Sequence, residues 1–394
     1  MESADIVIVG GGVMGSSIAW HLCEDGVRGR VVVIERDPSY ARASSRLALG
    51  GVRQQFGSDV NIRLVQWSVR FWRQFDDLMS VNGHEAHANF RSRGYLFLAD
   101  DAHARHFEER LAMMRLFGAQ VERLELDEIA KRVPGVALDD IRFGVFGADD
   151  GYANPHEVLH GFRAGAQAAG AEFRTGEVVA IESQHARVRE VQLADGTRIA
   201  TRNVVIAAGA WSRPLGAMLG VEFPIEPQRQ SLFRCALPER ASRRFPMVID
   251  PSGVHWRHED DDRGAAHDAI VVACTRAEEP MGENFEPDPT RWSRDFLPAL
   301  ARRLPGLRGL EPLETWAGLY EMTPDHNPLI GACDTVGGLY VAAGFSGHGL
   351  MMSPAVGKAM SEIVRLGRAE TVDVSPLSPD RFERGALFRD GAMI

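Results

Sequence analysis

The sequence predicts a mixed fold in which an α/β domain is combined with a second domain of the α+β class. A chain of 394 residues is longer than one hydrophobic core usually supports, so two domains are expected. The amino end alternates an apolar strand, a glycine-rich turn, a helix and a second apolar strand, which is typical of a parallel sheet. Residues 86–142 and 220–316 instead contain short strands separated by proline, glycine and charge clusters, which indicates the second domain.

The composition limits the classes of partner and of location. Apolar residues make up 45% and charged residues 25%, as in ordinary globular proteins, and the net charge of -10 argues against a nucleic-acid partner. The sequence has no apolar run of membrane length, and a strand starts almost at once, which leaves no room for a signal or transit peptide. The cysteines have neither CxxC nor metal-ligand spacing, so we expect no metal site and reduced thiols at Cys23, Cys235, Cys274 and Cys333. These observations predict a cytoplasmic protein.

The first element is a dinucleotide-binding unit. A strand, Asp5 to Val9, leads into Gly10-x-Gly12-x-x-Gly15 and a helix, and the next buried strand ends in Glu35. In this context Gly10 forms the turn, Gly12 admits a pyrophosphate, and Gly15 allows the helix to pack closely on the strand. The amino end of the helix attracts phosphate, and Glu35 would accept hydrogen bonds from ribose hydroxyls. The pattern therefore predicts a bound dinucleotide.

The next elements offer further contacts to such a ligand. "RASSRLALGGVRQQFG" contains the Ser44-Ser45 pair and the Gly50-Gly51 pair, which suit a second contact with pyrophosphate. Helices are predicted for residues 61–79 and, with Asn154 as cap and Pro155 in the first position, for the segment that begins "NPHEVLHGF". "TRNVVIAAGAWS" is a buried strand, residues 204–207, that ends in small residues where the backbone can close over a ligand. Residues 258–268 are predicted to form a solvated hairpin tip.

The stretch "GFSGHGLMMSPAVG", residues 344–357, places three glycines and a histidine directly before an amphipathic helix. A tight turn would explain the glycines. The alternative is that a planar or charged ligand approaches the backbone here, because glycine lets main-chain N–H groups meet a ligand without an intervening side chain.

These motifs together resemble the D-amino-acid oxidase, glycine oxidase and sarcosine oxidase family of FAD-dependent amine oxidoreductases, in the family's order and over nearly the whole chain. The resemblance is strongest to the branch that is similar to the sarcosine oxidase beta subunit. That branch includes mitochondrial FAD-dependent oxidoreductase-domain proteins associated with complex I assembly, which share the patterns "GGVRQQF" and "DDGYANPHEVLHGFRAGAQAAGAEF". The resemblance to this family implies a glutathione-reductase-like, Rossmann-type FAD-binding domain from residues 1–85, 143–219 and 317–394. The substrate domain, residues 86–142 and 220–316, would contain an antiparallel sheet.

The resemblance implies that the cofactor is FAD. Monomeric sarcosine oxidases attach FAD to a cysteine at the position of Gly318, so the FAD of this chain is expected to be noncovalent. The expected cofactor-binding residues are Gly10, Gly12, Val13, Met14, Gly15, Glu35, Arg36, Ser44, Ser45, Arg46, Gly50, Gly51, Val178, Ala208, Gly209, Trp211, Gly318, Leu319, Phe345, Ser346, Gly347, His348, Gly349, Leu350 and Met351.

The resemblance also implies five catalytic positions. Arg53 matches a carboxylate-binding arginine, or it is a surface arginine; its guanidinium fork suits a carboxylate. Tyr320 matches a tyrosine near flavin and substrate, or it belongs to the core. His255 stands where relatives often have a substrate-facing tyrosine, or it is an ordinary strand residue. His348 is assigned a positional role rather than that of a general base, and Met351 replaces a carboxylate-binding lysine, so the substrate pocket must differ.

The expected reaction is oxidation of the C–N bond of a secondary or N-substituted amino acid to an imine, which water hydrolyses to an amine and a keto or aldehyde acid. Substrates of the N-alkyl glycine, iminodiacetate-like and opine-like kinds all fit an arginine-bearing pocket. Neither of the two lysines, Lys131 and Lys358, is placed to activate dioxygen. Either another cation does so, such as His255 or an arginine, or the electrons pass to a different acceptor. Two alternatives remain: an FAD-bearing subunit that delivers electrons to a partner, and an assembly or interaction protein.

Overall fold

The computed structural model describes residues 2–81, 83–238, 244–259, 268–274 and 279–388. Within these ranges the α-helices are α1 Val13–Glu24, α2 Ser44–Leu47, α3 Asp59–Trp72, α4 Phe75–Met79, α5 Ala104–Leu116, α6 Leu126–Arg132, α7 Pro155–Ala168, α8 Ser212–Ala217, α9 Leu297–Arg303 and α10 Gly349–Leu366. The strands are β1 Glu2–Ser3, β2 Ile6–Val9, β3 Val31–Glu35, β4 Gly51–Val52, β5 Tyr95–Ala99, β6 Val121–Leu124, β7 Phe143–Gly147, β8 Gly151–Tyr152, β9 Glu172–Thr175, β10 Val178–Gln184, β11 Arg187–Leu193, β12 Arg198–Ala200, β13 Val204–Ile206, β14 Glu226–Ala236, β15 Met247–Ile249, β16 Val254–Glu259, β17 Ala269–Cys274, β18 Pro312–Met322, β19 Leu329–Ala332 and β20 Leu339–Ala343.

A six-stranded sheet forms the centre of the first half of the fold. Its strand order is β19-β20-β13-β2-β3-β9, and all neighbours are parallel except β19 and β20. Successive side chains of a strand point to opposite faces, and β2 is buried on both. Ile6 and Ile8 pack with helices α1, α3, α7 and α10, whereas Val7 and Val9 pack with residues of β10, β11 and β12. The parallel, Rossmann-type sheet predicted from the sequence is therefore confirmed.

A four-stranded sheet, β1-β12-β11-β10, covers the second face, so this half has three layers. On the first face, α1 and α10 cross at close range. A Cβ on Gly357 would lie 2.2 Å from Ser17 Oγ, and that hydroxyl donates to the Ser353 carbonyl at 2.7 Å. The close crossing places the amino ends of both helices near the carboxyl edge of the central sheet.

An eight-stranded sheet, β18-β14-β17-β16-β15-β5-β7-β6, forms the second half of the fold. Its neighbours are antiparallel except β15 and β5, which pair in parallel. The predicted antiparallel sheet is confirmed apart from this pair. The long strands β14 and β18 pair with each other along nearly their whole length, from Glu226 opposite Met322 to Cys235 opposite Pro312.

The proposed domain boundaries stay predictions. Strand pairing crosses them at two points. β7 begins at Phe143, inside the segment predicted for the FAD-binding domain, yet it pairs with β5 and β6 in the eight-stranded sheet. β18 spans the predicted boundary at residues 316 and 317. Boundaries drawn from composition cannot detect such pairing.

Three local expectations can be compared with the structure. The helix predicted over residues 61–79 is divided into α3 and α4, whereas α7 is capped as predicted: Asn154 Oδ1 accepts from the His156 N–H at 3.1 Å. Strands β16 and β17 are paired as a hairpin requires, but residues 260–267 of the predicted tip lie outside the described residues. Among the helices of the described ranges, none is long and apolar enough to cross a membrane.

Candidate functional site

The glycine-rich turn between β2 and α1 opens on a large cavity. Gly10 has a φ of 102°, and a Cβ there would lie 2.5 Å from the Ala207 carbonyl oxygen. A Cβ on Gly15 would lie 1.9 Å from the Gly10 carbonyl oxygen, so Gly15 is needed for the helix to pack on the strand. A Cβ on Gly12, by contrast, would meet only Ser45 Oγ, at 3.4 Å. Gly12 therefore leaves space on the cavity side at the amino end of α1.

Acidic and hydroxyl side chains are fixed around this turn. Glu35, at the end of β3, accepts the Gly11 N–H at 2.8 Å with one carboxylate oxygen and the Asp37 N–H at 2.8 Å with the other. Ser45 Oγ accepts the Val13 N–H at 3.1 Å, which ties α2 to the first turn of α1. Ser44 Oγ donates to the Leu319 carbonyl at 2.7 Å and so ties α2 to β18.

The loop of residues 344–348 lies on the opposite side of the cavity. Gly344, Ser346 and Gly347 all have positive φ, of 78°, 48° and 94°. A Cβ on Gly347 would lie 2.6 Å from the Tyr320 ring, so only glycine fits beside that tyrosine. Helix α10 starts directly after the loop, and no side chain caps it. Its first N–H groups have no acceptor within the helix, and a positive partial charge is therefore directed to this side of the cavity.

Glu321, on β18, organises this loop and was missed in the sequence. Its carboxylate accepts the Gly344 N–H at 2.8 Å, and its backbone carbonyl accepts the Ser346 N–H at 3.1 Å. Burial raises the pKa of the Glu321 carboxyl to about 7, although the backbone N–H groups of Gly344 and Phe345 act in the opposite direction. Its position next to Tyr320 in "GLYEMTPD" is the only signal that the sequence offered.

The turn, the loop and the ends of both large sheets enclose a cavity of about 1540 Å³. Ligand sites usually occupy roughly 300–1,000 Å³, so this cavity has room for a long dinucleotide and a small substrate. Of all the cofactor-binding and catalytic residues predicted from the sequence, every one except Gly15 and Arg46 lines the cavity.

Arg46 does not line the cavity, and its assignment as a cofactor-binding residue stays a prediction. It is exposed, and its guanidinium donates to the Ser39 carbonyl at 3.2 Å. The sequence grouped it with Ser44 and Ser45, but in the short helix α2 successive side chains point in different directions. Gly15 does not line the cavity because it is buried beneath Gly10, in agreement with the packing role predicted for it.

Arg53 is buried in the wall of the cavity, with 3% of its surface exposed. Its guanidinium donates to the Gln55 carbonyl, lies 3.1 Å from His348 Nε2, and stands over the Phe56 ring at 4.3 Å from the centroid. Several other buried arginines form ion pairs, but Arg53 forms none with the described residues: no carboxylate oxygen of theirs lies within 4 Å of its guanidinium. Arg53 is therefore a buried cation and not the surface arginine of the alternative interpretation.

The two cavity histidines predicted from the sequence, His348 and His255, are neutral near neutral pH. Burial, and after it the charge of Arg53, lowers the pKa of His348 to about 3. The guanidinium of Arg53 can only donate, so His348 Nε2 accepts from it and carries no proton. Burial also lowers the pKa of His255 to about 4, and its Nδ1 bonds the Gly253 carbonyl at 3.0 Å. His255 therefore cannot supply the positive charge that was considered for dioxygen activation.

The remaining predicted catalytic residues lie near each other. Tyr320 lines the cavity with its ring against Gly347. Met351, in the first turn of α10, is 6% exposed, and its carbonyl accepts from Trp72 Nε1 at 3.4 Å. Both lysines are outside the cavity: Lys358 pairs with Asp25 at 2.6 Å, and Lys131 pairs with Asp127 at 2.9 Å.

A group of aromatic and charged side chains at the cavity edge was predicted only in part. Arg36 stands over the Trp211 ring at 4.1 Å, and the Trp211 indole N–H donates to Glu283 at 3.0 Å. Arg42 contacts the same carboxylate at 3.7 Å, and Phe285 stacks on Trp211 at 6.3 Å between centroids. Arg42, Glu283 and Phe285 were missed because they come from loops without a recognisable motif.

The cavity fits the FAD that the resemblance implies. Gly12 leaves a cradle that a Cβ would fill, the Glu35 carboxylate stands at the end of β3, and two helices, α1 and α10, direct their amino ends toward the same space. Such helix ends bind anionic groups. The residues that would hold FAD are therefore present on both sides of the cavity.

Comparison with known proteins identifies the family. The family model described as "DAO: FAD dependent oxidoreductase" matches residues 5–363. FAD-dependent oxidoreductase domain-containing protein 1 of Bos taurus is 34% identical over 98% of this chain and 86% of its own length. Mitochondrial dimethylglycine dehydrogenase of Mus musculus is 25% identical over 97% of this chain but only 44% of its own length. The crystal structure of L-proline dehydrogenase from P. horikoshii superposes with a TM-score of 0.88 at 30% identity, over 98% of this chain and 100% of that one.

The motifs, the three-layer fold and the cavity agree with this match, which extends over both halves of the chain. The protein belongs to the DAO family of FAD-dependent oxidoreductases, and its cofactor is FAD.

Proposed function

We propose that this oxidoreductase oxidises the C–N bond of a secondary or N-substituted amino acid of the N-alkyl glycine, iminodiacetate-like or opine-like kind. The product is an imine, which water hydrolyses to an amine and a keto or aldehyde acid. The observation that carries the proposal is Arg53, a buried guanidinium in the cavity wall without a carboxylate partner among the described residues. A guanidinium fork binds a carboxylate with two parallel hydrogen bonds.

Two relatives support the choice of substrate class. One is named for L-proline and the other for dimethylglycine, and both of these amino acids carry carbon substituents on nitrogen. Their agreement with a cavity arginine that has no carboxylate partner among the described residues favours an amino acid over an amine without a carboxylate.

Each residue then has a defined task. Bound FAD supplies the hydride acceptor for the carbon next to nitrogen. Arg53 binds the substrate carboxylate, and His348 holds one edge of the guanidinium through its unprotonated Nε2. The amino end of α10 favours negative charge on its side of the cavity. Tyr320 closes the wall beside Gly347.

The two histidines restrict how the substrate loses its ammonium proton. With pKa values of about 3 and about 4, both His348 and His255 are uncharged imidazoles near neutral pH. A group of such low basicity is a poor general base for an ammonium ion. We therefore propose that the substrate reacts as the free amine and that neither His348 nor His255 takes its proton.

The electron acceptor is proposed to be something other than dioxygen. Both lysines form ion pairs outside the cavity, so neither can stabilise superoxide there, and the cavity cation Arg53 is assigned to the substrate carboxylate. Another protein or a small redox carrier would then take the electrons. A protein that retains FAD for assembly and turns over no amino acid is the alternative, and the first experiment separates the two.

The first experiment is anaerobic titration of the holoprotein with L-proline, N-methylglycine, N,N-dimethylglycine and iminodiacetate, with glycine as the primary-amine control. We expect at least one N-substituted amino acid to bleach the visible absorption of the flavin, and glycine to leave it unchanged. Bleaching by glycine alone, or by none of the compounds, would contradict the proposed substrate class.

The second experiment replaces Arg53 with Met. Loss of one partner of a buried charge pair costs about 2–4 kcal/mol, so recognition of the substrate should weaken by roughly 30- to 800-fold while FAD stays bound. Arg63→Met is the matched control, because Arg63 is exposed on α3 and its side chain approaches Asp59 at 3.9 Å. Unchanged saturation kinetics in Arg53→Met would exclude the carboxylate-binding role.

A further inference from the structure

The positive charge of the buried Arg53 is not neutralised by any group in direct contact with it. A buried cation is stable only when an opposite charge or a set of acceptors compensates for the water it has lost. The contacts of the guanidinium are a backbone carbonyl, a neutral imidazole nitrogen, the Tyr95 hydroxyl and aromatic rings. None of these carries a negative charge, so the compensating charge must lie further away.

That charge is Asp150, which lies between β7 and β8 and is completely buried. Its Oδ1 accepts the Gln54 N–H at 3.0 Å and Gln54 Nε2 at 3.1 Å, and its Oδ2 accepts Gln55 Nε2 at 3.1 Å. These donors belong to the two residues that directly follow Arg53 in the chain. Asp150 therefore fixes the segment whose Gln55 carbonyl accepts from the Arg53 guanidinium.

The arrangement compensates the charge of Arg53 without using its hydrogen-bonding edge. A carboxylate in direct contact would fill the guanidinium fork and compete with a substrate carboxylate. With the amides of Gln54 and Gln55 in between, the two opposite charges attract each other while no carboxylate of the described residues occupies the guanidinium. Burial raises the pKa of Asp150 to about 6, and the hydrogen bonds and the charge of Arg53 act in the opposite direction, so the group is anionic at neutral pH.

We propose that Asp150 is a positioning residue that holds Arg53, through Gln54 and Gln55, in the orientation that receives the substrate carboxylate. This inference rests on the proposed function, since it takes Arg53 to be the carboxylate-binding group. The other titratable side chain coupled to Asp150 is Tyr95, whose pKa burial raises above its ordinary value and which is neutral over the working range.

The test uses acetate as the simplest carboxylate, titrated into the holoprotein and followed by the change in the flavin absorption spectrum. We expect Asp150→Asn to retain FAD and to bind acetate at least tenfold more weakly, because the negative charge is lost and the amide nitrogen would face the Gln55 Nε2 donor, which then lacks an acceptor. Asp149→Asn is the matched control: the neighbouring carboxylate is 38% exposed and pairs with Arg73 at 2.5 Å, so acetate binding should not change. Gln55→Met, which removes one of the three bonds to Asp150, should give a smaller loss and serves if Asp150→Asn does not fold.

The pH profile separates positioning from simple electrostatics. If ionised Asp150 positions Arg53, the acetate affinity of the native protein should fall as the pH drops through about 6, and the Asp150→Asn variant should lose this step. An affinity that rises as Asp150 becomes protonated would show that it merely competes for the charge of Arg53, and would overturn the proposal.

Arg53→Met distinguishes the two proposals. Acetate binding that depends on Arg53 but not on Asp150 or Gln55 overturns the positioning role alone. Acetate binding that is unaffected by Arg53→Met overturns the carboxylate role of Arg53 and, with it, the role assigned to Asp150. No turnover is required, so the result does not depend on finding the natural substrate.

Discussion

Two glycines at the start of α1 should respond differently to replacement by alanine. The replacement should mainly lower the stability of the protein at Gly15 and mainly weaken FAD binding at Gly12. In Gly15→Ala the new Cβ would lie 1.9 Å from the Gly10 carbonyl oxygen, a backbone atom that can move away only if α1 separates from β2. Overpacking of this kind costs about 3 kcal/mol or more, and the gain in helix propensity returns about 1 kcal/mol, so a net loss of at least about 2 kcal/mol in the free energy of unfolding is expected. In Gly12→Ala the Cβ meets only Ser45 Oγ, at 3.4 Å. Placing alanine at this cap position costs about 1 kcal/mol or less.

FAD binding should be affected more directly by the substitution at Gly12 than by the substitution at Gly15. The Gly12 Cβ would occupy the space at the amino end of α1, so Gly12→Ala should weaken FAD binding although the flavin-free protein stays folded. The assays are denaturant unfolding of the flavin-free variants and fluorescence titration with FAD. Normal FAD affinity in Gly12→Ala, or native stability in Gly15→Ala, would refute the roles derived from the geometry.

Three further outcomes are expected. Acid precipitation should release all FAD to the supernatant, because Gly318 replaces the cysteine of the covalent oxidases; flavin retained in the pellet would show otherwise. In rapid mixing with aerated buffer, the reduced holoprotein should reoxidise more slowly than a sarcosine oxidase, since both lysines are paired outside the cavity; an equal rate would exclude the preference for another acceptor. Glu321 has a folded-state pKa of about 7, above its ordinary value of 4.5, so its ionisation should lower the stability of the flavin-free protein as the pH rises from about 4.5 to 7. Glu321→Gln should remove that part of the pH dependence, and an unchanged profile would assign it to other groups.

The dinucleotide-binding unit could be predicted because its residues follow one another in the chain. The glycines of the first turn, Glu35 and the cap of α7 are local features, and the structure has them where the sequence indicated. Arg46 points to the Ser39 carbonyl and not into the cavity, an orientation that the sequence could not indicate. The division of residues 61–79 into α3 and α4 was also missed, because the apolar spacing continues across the break.

The residues that were missed lie far apart in the chain from those they contact. Asp150 meets Gln54 across 96 residues, and Glu321 meets Gly344 across 23 residues, in each case between elements of different sheets or loops. Sequence patterns report a strand or a turn, but they do not report which carboxylate faces which amide. The roles of Asp150 and Glu321, which depend on such long-range hydrogen bonds, become visible only in the three-dimensional structure.

The close crossing of α1 and α10 also determines when the cofactor can first bind during synthesis. Ser17 and Ser353, which join the two helices, are 336 residues apart. A ribosome adds about 5–20 residues per second, so the glycine turn waits many seconds before the second side of the cavity exists. Until then the face of α1 that α10 will cover, at Ser17 and His21, remains uncovered. FAD can therefore meet its complete binding site only after α10 has emerged.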